Sequence, residues 1–577
     1  MKNFLLITSR NKLHEKVPQK NYKDNILIEG NIRIDNSIYI KKNEQLSSEL
    51  SDRDLIYCLY QKYGRDFIKR IHGCFSFFIH DVERKNILAF RDEFGQSSLF
   101  YSFEGKKILI ASSIKDILNE GILDKKMNID RVIDFIAHTH STTNETFFQN
   151  IFKLEPSNEL IITKDTDVKQ LYECFEIEDN TKKNLRELFY DSIRSIITSN
   201  TGSMLSGGID SSSISIASQK ISNKPLETFS IIFPNLKPDL KEIADEEKYI
   251  DEVLKNKNLS GNKIKVDEFN FIQNIKENVH FIDEPIMATN IYIYEKVFIE
   301  MSKKNVASIL DGTDGDSVLS HGTEIFRDFG EKNKLKDLIN SKRAYDLKRG
   351  AKFSLFKTIF SFVLLPRIPD FLKKIINLVR GRDYFDEQNK LLAMNFRKSK
   401  SEMKKNVEKL YYTDKKFESF ASKAHYMMIY KSHWDEVFNI LNQIAGKHNI
   451  EIKFPFFYKP LVSFCLDSGA EEKLKEGTTR YYFKEAMKDD LPDIIYKRNT
   501  KADLSPIFKK EFMNLDESYV NEVFFDKKSP IYALIEQSRI KKLLQSKNHK
   551  KNLSIIYSLI SLYEWMKKNH FSVVIEK

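Results

Sequence analysis

The sequence predicts an α/β protein of two domains, the second built on a parallel sheet. Three observations predict it. Up to about residue 150 short β-like runs alternate with turns, whereas after residue 185 strands alternate with helices, the pattern of a parallel sheet. Two glycine-rich acidic loops each follow directly on a short apolar run, where such sheets carry their ligands. The chain, at 577 residues, is also longer than one hydrophobic core usually spans, about 250–300 residues.

In chain order, residues 26–28, 75–79, 87–90 and 107–111 carry strand character, and residues 81–86 join two of these as a hairpin-like turn. A connecting stretch, 147–172, holds a further β-like run at 159–163. Helical period returns at 185 and runs to about 197. Then come a buried strand at 203–205, a small-residue helix at 213–220, a strand at 228–233, a helix at 246–254 and a buried strand at 307–310. From about residue 326 the pattern is largely helical.

A hydrophobic fraction of 41% and a charged fraction of 30% fit a soluble globular chain. Cys58, Cys74, Cys174 and Cys465 are scattered, without metal-like spacing, which predicts a reducing, cytoplasmic setting. The apolar run after Lys2 is shorter than a signal peptide needs. The longest one elsewhere is interrupted by Lys357 and ends at Pro366, so no integral membrane segment is expected. Residues 331–410 carry 21 Lys/Arg against 9 Asp/Glu, which covers the whole net charge of +11. That segment suits an acidic peptide, a nucleic acid, an anionic membrane surface or simply solvent. With no zinc-finger or RNA-recognition signature, nucleic acid is not expected as a partner.

Ser206-Gly207-Gly208-Ile209-Asp210-Ser211-Ser212 lies between a strand and a helix. Its glycines let the backbone approach an anion, and the helix N–H groups point at whatever sits there. The hydroxyls of Ser206, Ser211 and Ser212 add donors, and Asp210 can hold a divalent cation. There is no Gly-Lys-Ser/Thr ending, so this is not a Walker A loop; a serine-rich turn is the plain alternative. The stretch resembles the pyrophosphate loop of ATP pyrophosphatases, which implies that the chain uses ATP. Asp311-Gly312-Thr313-Asp314-Gly315-Asp316-Ser317 follows the strand at 307–310, and its carboxylates are hard oxygen ligands suited to Mg2+. A calcium site or a turn would look alike, although the spacing does not match an EF-hand. Asp210 and Asp316, from adjacent strand ends, are the expected magnesium pair.

Further blocks widen the resemblance. Gly73-Cys74-Phe75-Ser76-Phe77-Phe78-Ile79-His80-Asp81, Arg91-Asp92-Glu93-Phe94-Gly95, and Asn449-Ile450-Glu451-Ile452-Lys453-Phe454-Pro455-Phe456 are similar to blocks of the asparagine synthetase family. The likeness implies an Ntn-type αββα sandwich of the class II glutamine amidotransferase kind over residues 1–175. It implies a parallel-sheet ATP-pyrophosphatase (adenine nucleotide α-hydrolase-like) synthetase domain over 180–577, with a basic helical insertion at about 326–425. Two departures matter. Glutaminases of this class use a cysteine exposed by Met removal, and here position 2 is Lys2, so the first domain is expected to be glutaminase-inactive, with a structural or docking role. In the second loop, Thr313 and Ser317 stand where the family has glutamates, which argues against ammonia and for an amine carried by the substrate. β-Lactam synthetases and lasso-peptide cyclases share that pattern. Thr479-Arg480 and Lys501-Ala502-Asp503-Leu504-Ser505-Pro506 look most like the cyclases.

The resemblance implies that a side-chain carboxylate of a precursor peptide is adenylated and then captured by the peptide's own amine, closing a macrolactam. Ser206, Gly207, Gly208, Ser211 and Ser212 would cradle pyrophosphate, and Leu205, Ile231 and Gly312 would offer backbone to adenosine. Arg480, where the family has a catalytic Lys, would stabilise developing charge. Glu436 is a candidate base if burial raises its pKa, or else a solvated carboxylate. Lys501 would bind phosphate or pair with Asp503, and Glu451 reads as a structural partner of Lys453. A leader-binding protein and a leader peptidase are the expected further partners. The alternatives are an asparagine synthetase-like amidotransferase using ammonia or a small amine, a small-ring synthetase, and a silent scaffold.

Overall fold

The computed structural model describes residues 3–573 except 140–143, 173–182, 223, 267–269, 288–290, 369–388, 433, 546–548 and several positions within 399–411 and 500–514. Cys174, Ser505, Pro506 and the expected domain boundary at 175–180 lie outside the described residues.

The N-terminal domain stacks two antiparallel sheets. Its strands are β1 (Leu5–Ser9), β2 (Ile26–Ile34), β3 (Gly73–Asp81), β4 (Asn86–Arg91), β5 (Phe100–Glu104), β6 (Lys107–Ala111), β7 (Phe152–Lys153), β8 (Asn158–Ile162) and β9 (Asp167–Leu171). One sheet runs β2-β3-β4-β8-β9 and the other β1-β6-β5-β7. Side chains alternate between faces along each strand. Phe78 of β3 therefore joins Leu6, Leu27, Ile108 and Ile110 between the sheets. Phe75 and Phe77 point the other way, onto Leu55, Ile56 and Leu59 of the helix Asp52–Tyr63. The second sheet buries Phe100, Leu109 and Ala111 against the helices Ile114–Asn119 and Ile129–Ile136, and that layer is continuous with the core of the second domain. The expected αββα order is thus present, its last layer shared.

The second domain carries β10 (Thr201–Met204), β11 (Leu226–Ile232), β12 (Leu259–Lys265), β13 (Ser308–Leu310) and β14 (Glu451–Lys453). Their order is β12-β11-β10-β13-β14 and every pairing is parallel. The chain steps outward from β10 through β11 to β12 and then crosses back to place β13 on the other side of β10. The two glycine-acid loops therefore leave neighbouring strands where the winding reverses, the place such sheets bind ligands.

The segment after β4 docks the domains. Arg91, wholly buried, donates Nε to Ser97 O (2.8 Å), Nη1 to Leu154 O (2.6 Å) and Asp435 Oδ2 (3.3 Å), and Nη2 to Gly95 O (3.0 Å). Glu93 accepts from Tyr430 Oη at 2.7 Å and Lys459 Nζ at 2.6 Å. Among the described residues no helix is long and apolar enough to cross a membrane.

Candidate active site

After β10 the chain passes through Leu205, Ser206, Gly207 and Gly208 into the helix Ile209–Ile221. That helix begins four residues before the expected 213, so Asp210, Ser211 and Ser212 sit in its first turn rather than on a loop. Gly208 at its N-cap makes no side-chain cap, which leaves first-turn N–H groups for an anion. Gly207 has φ +72°, and a Cβ there would stand 2.6 Å from Tyr249 Cβ, so the turn needs glycine. Ser211 Oγ accepts from Ser206 N (3.1 Å) and lies 3.0 Å from Ser206 Oγ. Ser212 Oγ is buried without a partner. Arg498 braces the turn from outside, with Nη1 on Gly207 O (2.9 Å), Nη2 on Glu246 Oε1 (2.6 Å) and its guanidinium over the Tyr249 ring.

The second loop touches the first: a Cβ on Gly312 would lie 3.2 Å from Ser211 N. Asp311 Oδ1 accepts from Thr313 N (2.6 Å) and Thr313 Oγ1 (2.7 Å), and Thr313 Oγ1 also meets Tyr294 Oη at 2.8 Å. Asp316 is held well below the usual carboxylate range, chiefly by the neighbouring His321, whose Nε2 stands 3.8 Å from its Oδ2, with Lys501 and Arg480 adding to it. Asp314 is pushed up to about 8 by burial and by the carboxylates of Asp316, Asp311 and Asp210. Arg480 Nη1 lies 2.9 and 2.6 Å from the two Asp210 oxygens. Lys501 is exposed and acts on the same carboxylates from the rim.

This crowd of carboxylates, with Asp311 Oδ2 and Asp314 Oδ2 buried and unpartnered, is what a hard divalent cation relieves. Among the described residues no three His, Cys, Asp or Glu form a closed metal cage. Asp210, both of whose oxygens Arg480 Nη1 takes, and Asp316 are the carboxylates that would hold Mg2+ in an open site, with phosphate and water supplying the other oxygens. Of the positions expected at adenosine, Leu205 spends its N–H on Phe229 O (2.9 Å), while Ile231 is half-buried at the end of β11.

A cavity of about 390 Å³ opens from Thr313 and Asp314 toward the N-terminal domain, which contributes Arg131, Phe135, Phe147 and Lys153 to its wall. Glu284, Trp434 and Glu436 line the other side. Glu436 faces this cavity half-buried and ion-paired: Arg131 Nη2 donates to its Oε1 at 2.6 Å. Glu451 is structural as read, 3.5 Å from Lys453 Nζ. Sequence reasoning missed Arg131, Lys153, Glu246, Glu284 and Arg498.

The family profile for asparagine synthase matches residues 184–567, and that for the glutamine amidotransferase domain matches residues 25–173. The chain belongs to the asparagine synthase family. The putative glutamine-hydrolysing asparagine synthetase 2 of Methanocaldococcus jannaschii is 30% identical over 307 residues, 51% of this chain and 58% of that protein. Asparagine synthetase 1 of Bacillus subtilis is 23% identical over 486 residues, 80% of this chain and 73% of that protein. Amidase chry2 of Gibberella zeae is 29% identical over 194 residues, 30% of this chain and 28% of that protein. The chain thus matches less than two thirds of the archaeal relative's length.

Within this asparagine synthase architecture Cys74 is placed as a core residue rather than a nucleophile. It is buried on β3, and loss of solvent pushes its thiol far up.

Proposed function

We propose that this chain is an ATP-dependent amide-forming ligase that adenylates a carboxylate, releases pyrophosphate, and passes the acyl group to an amine with loss of AMP. The observation that carries the reading is the meeting of the two loops at Ser211 and Gly312, with Asp210, Arg480 and Asp316 gathered beside an interdomain cavity. First-turn N–H groups and the hydroxyls of Ser206, Ser211 and Ser212 receive the phosphates. Arg480, bonded to Asp210, would offset the negative charge that grows during pyrophosphate departure. Mg2+ held by Asp210 and Asp316 would neutralise that charge.

For the acyl acceptor we favour an amine tethered to the acid, as in macrolactam closure of a precursor peptide. Two features support it. Thr313 and Ser317 replace acidic groups, and Thr313 is engaged with Asp311 and Tyr294. The cavity also has room for a peptide end with its side chain. A leader peptidase and a leader-binding protein would then supply the trimmed peptide. Linear peptides with a free N-terminus and an internal Asp or Glu, incubated with Mg-ATP, should give AMP and a product lighter by one water. ADP in place of AMP overturns the adenylation scheme. Turnover of aspartate plus ammonium, with peptides inert, replaces the tethered amine by free ammonia.

A further inference from the structure

We propose that Glu284 is the residue that takes the proton from the attacking amine, an assignment that rests on the ligase reading above. Glu284 sits half-buried in the cavity wall, between the helices Phe271–Asn278 and Ile291–Lys303, and shares that wall with Thr313 and Asp314 of the second loop. Its placement is fixed from both domains. Phe147 N of the N-terminal domain donates to Glu284 Oε1 at 2.9 Å. The preceding Asp283 accepts from Ile114 N at 3.0 Å and from Gln443 Nε2 at 3.1 Å, and its carbonyl accepts from Trp565 Nε1 at 2.8 Å. Among the described residues Glu284 Oε2 makes no hydrogen bond.

The charges around it are divided unequally. Arg131 is bonded to Glu436 at 2.6 Å, and Lys153 Nζ to Asp435 Oδ2 at 2.7 Å. Both cations that the N-terminal domain sends to the cavity are therefore committed to other carboxylates. Glu284 has no ion-pair partner among the described residues. The charged groups facing it are Lys153, Arg131, Glu436 and, across the cavity, Asp314. Loss of solvent outweighs the pull of Lys153, Arg131 and the Phe147 N–H, Glu436 adds to the rise, and the carboxyl stands at about 7. A base titrating there is matched to removing a proton near neutral pH.

In the step assigned to it, the amine nitrogen forms a bond to the acyl carbon and the carbon–oxygen bond to AMP breaks, its electron pair leaving with AMP. The surplus ammonium proton passes to the Glu284 carboxylate and then to solvent. The group is a base only when ionised, so amide formation should rise with pH through about 7 and then level.

Glu284→Gln tests this, because Gln keeps the volume and an oxygen for Phe147 N–H while removing the base. The substrate is whichever of the linear peptides or the aspartate–ammonium pair supports ATP–pyrophosphate exchange. The variant should retain exchange within about threefold, lose about 10²-fold or more in amide formation, and lose the rise near pH 7. Glu284→Asp should restore part of the rate and the pH dependence. Exchange retained with an unchanged rate and pH profile of amide formation overturns the assignment alone. Absence of exchange in the unaltered chain overturns the ligase reading and this assignment with it.

Discussion

Replacing Arg480 with Met is expected to slow pyrophosphate release by about 10²–10³-fold, the usual loss when a donor aimed at developing charge is removed. Arg480 sits in a left-handed conformation (φ 53°) at the start of the helix Tyr481–Ala486, which turns its side chain onto Asp210. The same guanidinium, bonded to Asp210, also helps to keep Asp316 ionised. Methionine keeps the aliphatic stem and removes only the charge. Arg480→Lys, which leaves a cation in place, should lose less than the Met variant. The measurement is steady-state pyrophosphate release at saturating Mg-ATP, with nucleotide affinity determined separately. A Met variant within threefold of the parent would remove Arg480 from the chemistry.

Replacing Arg91 with Met is expected to destabilise the protein by about 3–5 kcal/mol, as when one partner of a buried ion pair is lost. The guanidinium holds three carbonyl oxygens and the Asp435 carboxylate in an interior closed to solvent. Its loss leaves those carbonyls without their guanidinium donor and takes one cation from Asp435, which also meets Lys153. Because Asp435 belongs to the second domain, the damage falls on the docking of the two halves. Denaturant unfolding and proteolysis of the inter-domain contact read the two effects. A loss below about 1 kcal/mol would show that the interface does not depend on this contact.

Much of the fold was legible because its strands are written in apolar residues. The run at 107–111 coincides with β6, while 75–79 and 87–90 fell short of β3 and β4. Most of the missing ends are polar, among them His80, Asp81, Asn86 and Arg91, and pair through backbone whatever the side chain. β12 was invisible because Gly261, Asn262 and two lysines interrupt it, and β14 because three residues carry no period. Ser211 and Ser212 read as loop although tertiary context makes them helix. The two loops of the site were legible because glycines and acids after a buried strand have a local mechanical reason. Arg131 on Glu436 joins positions 305 apart, and no local pattern carries that contact. For Glu284 the one hint was an acidic pair set between Ile282 and Pro285 in an apolar stretch.

One wall of the chamber belongs to the sandwich, and that limits how the molecule can be re-engineered. Its two halves cannot be traded or trimmed as separate modules. A chimera with a foreign first half would have to bring a guanidinium and an ammonium to the places of Arg131 and Lys153, or leave acidic side chains stranded in its neighbour.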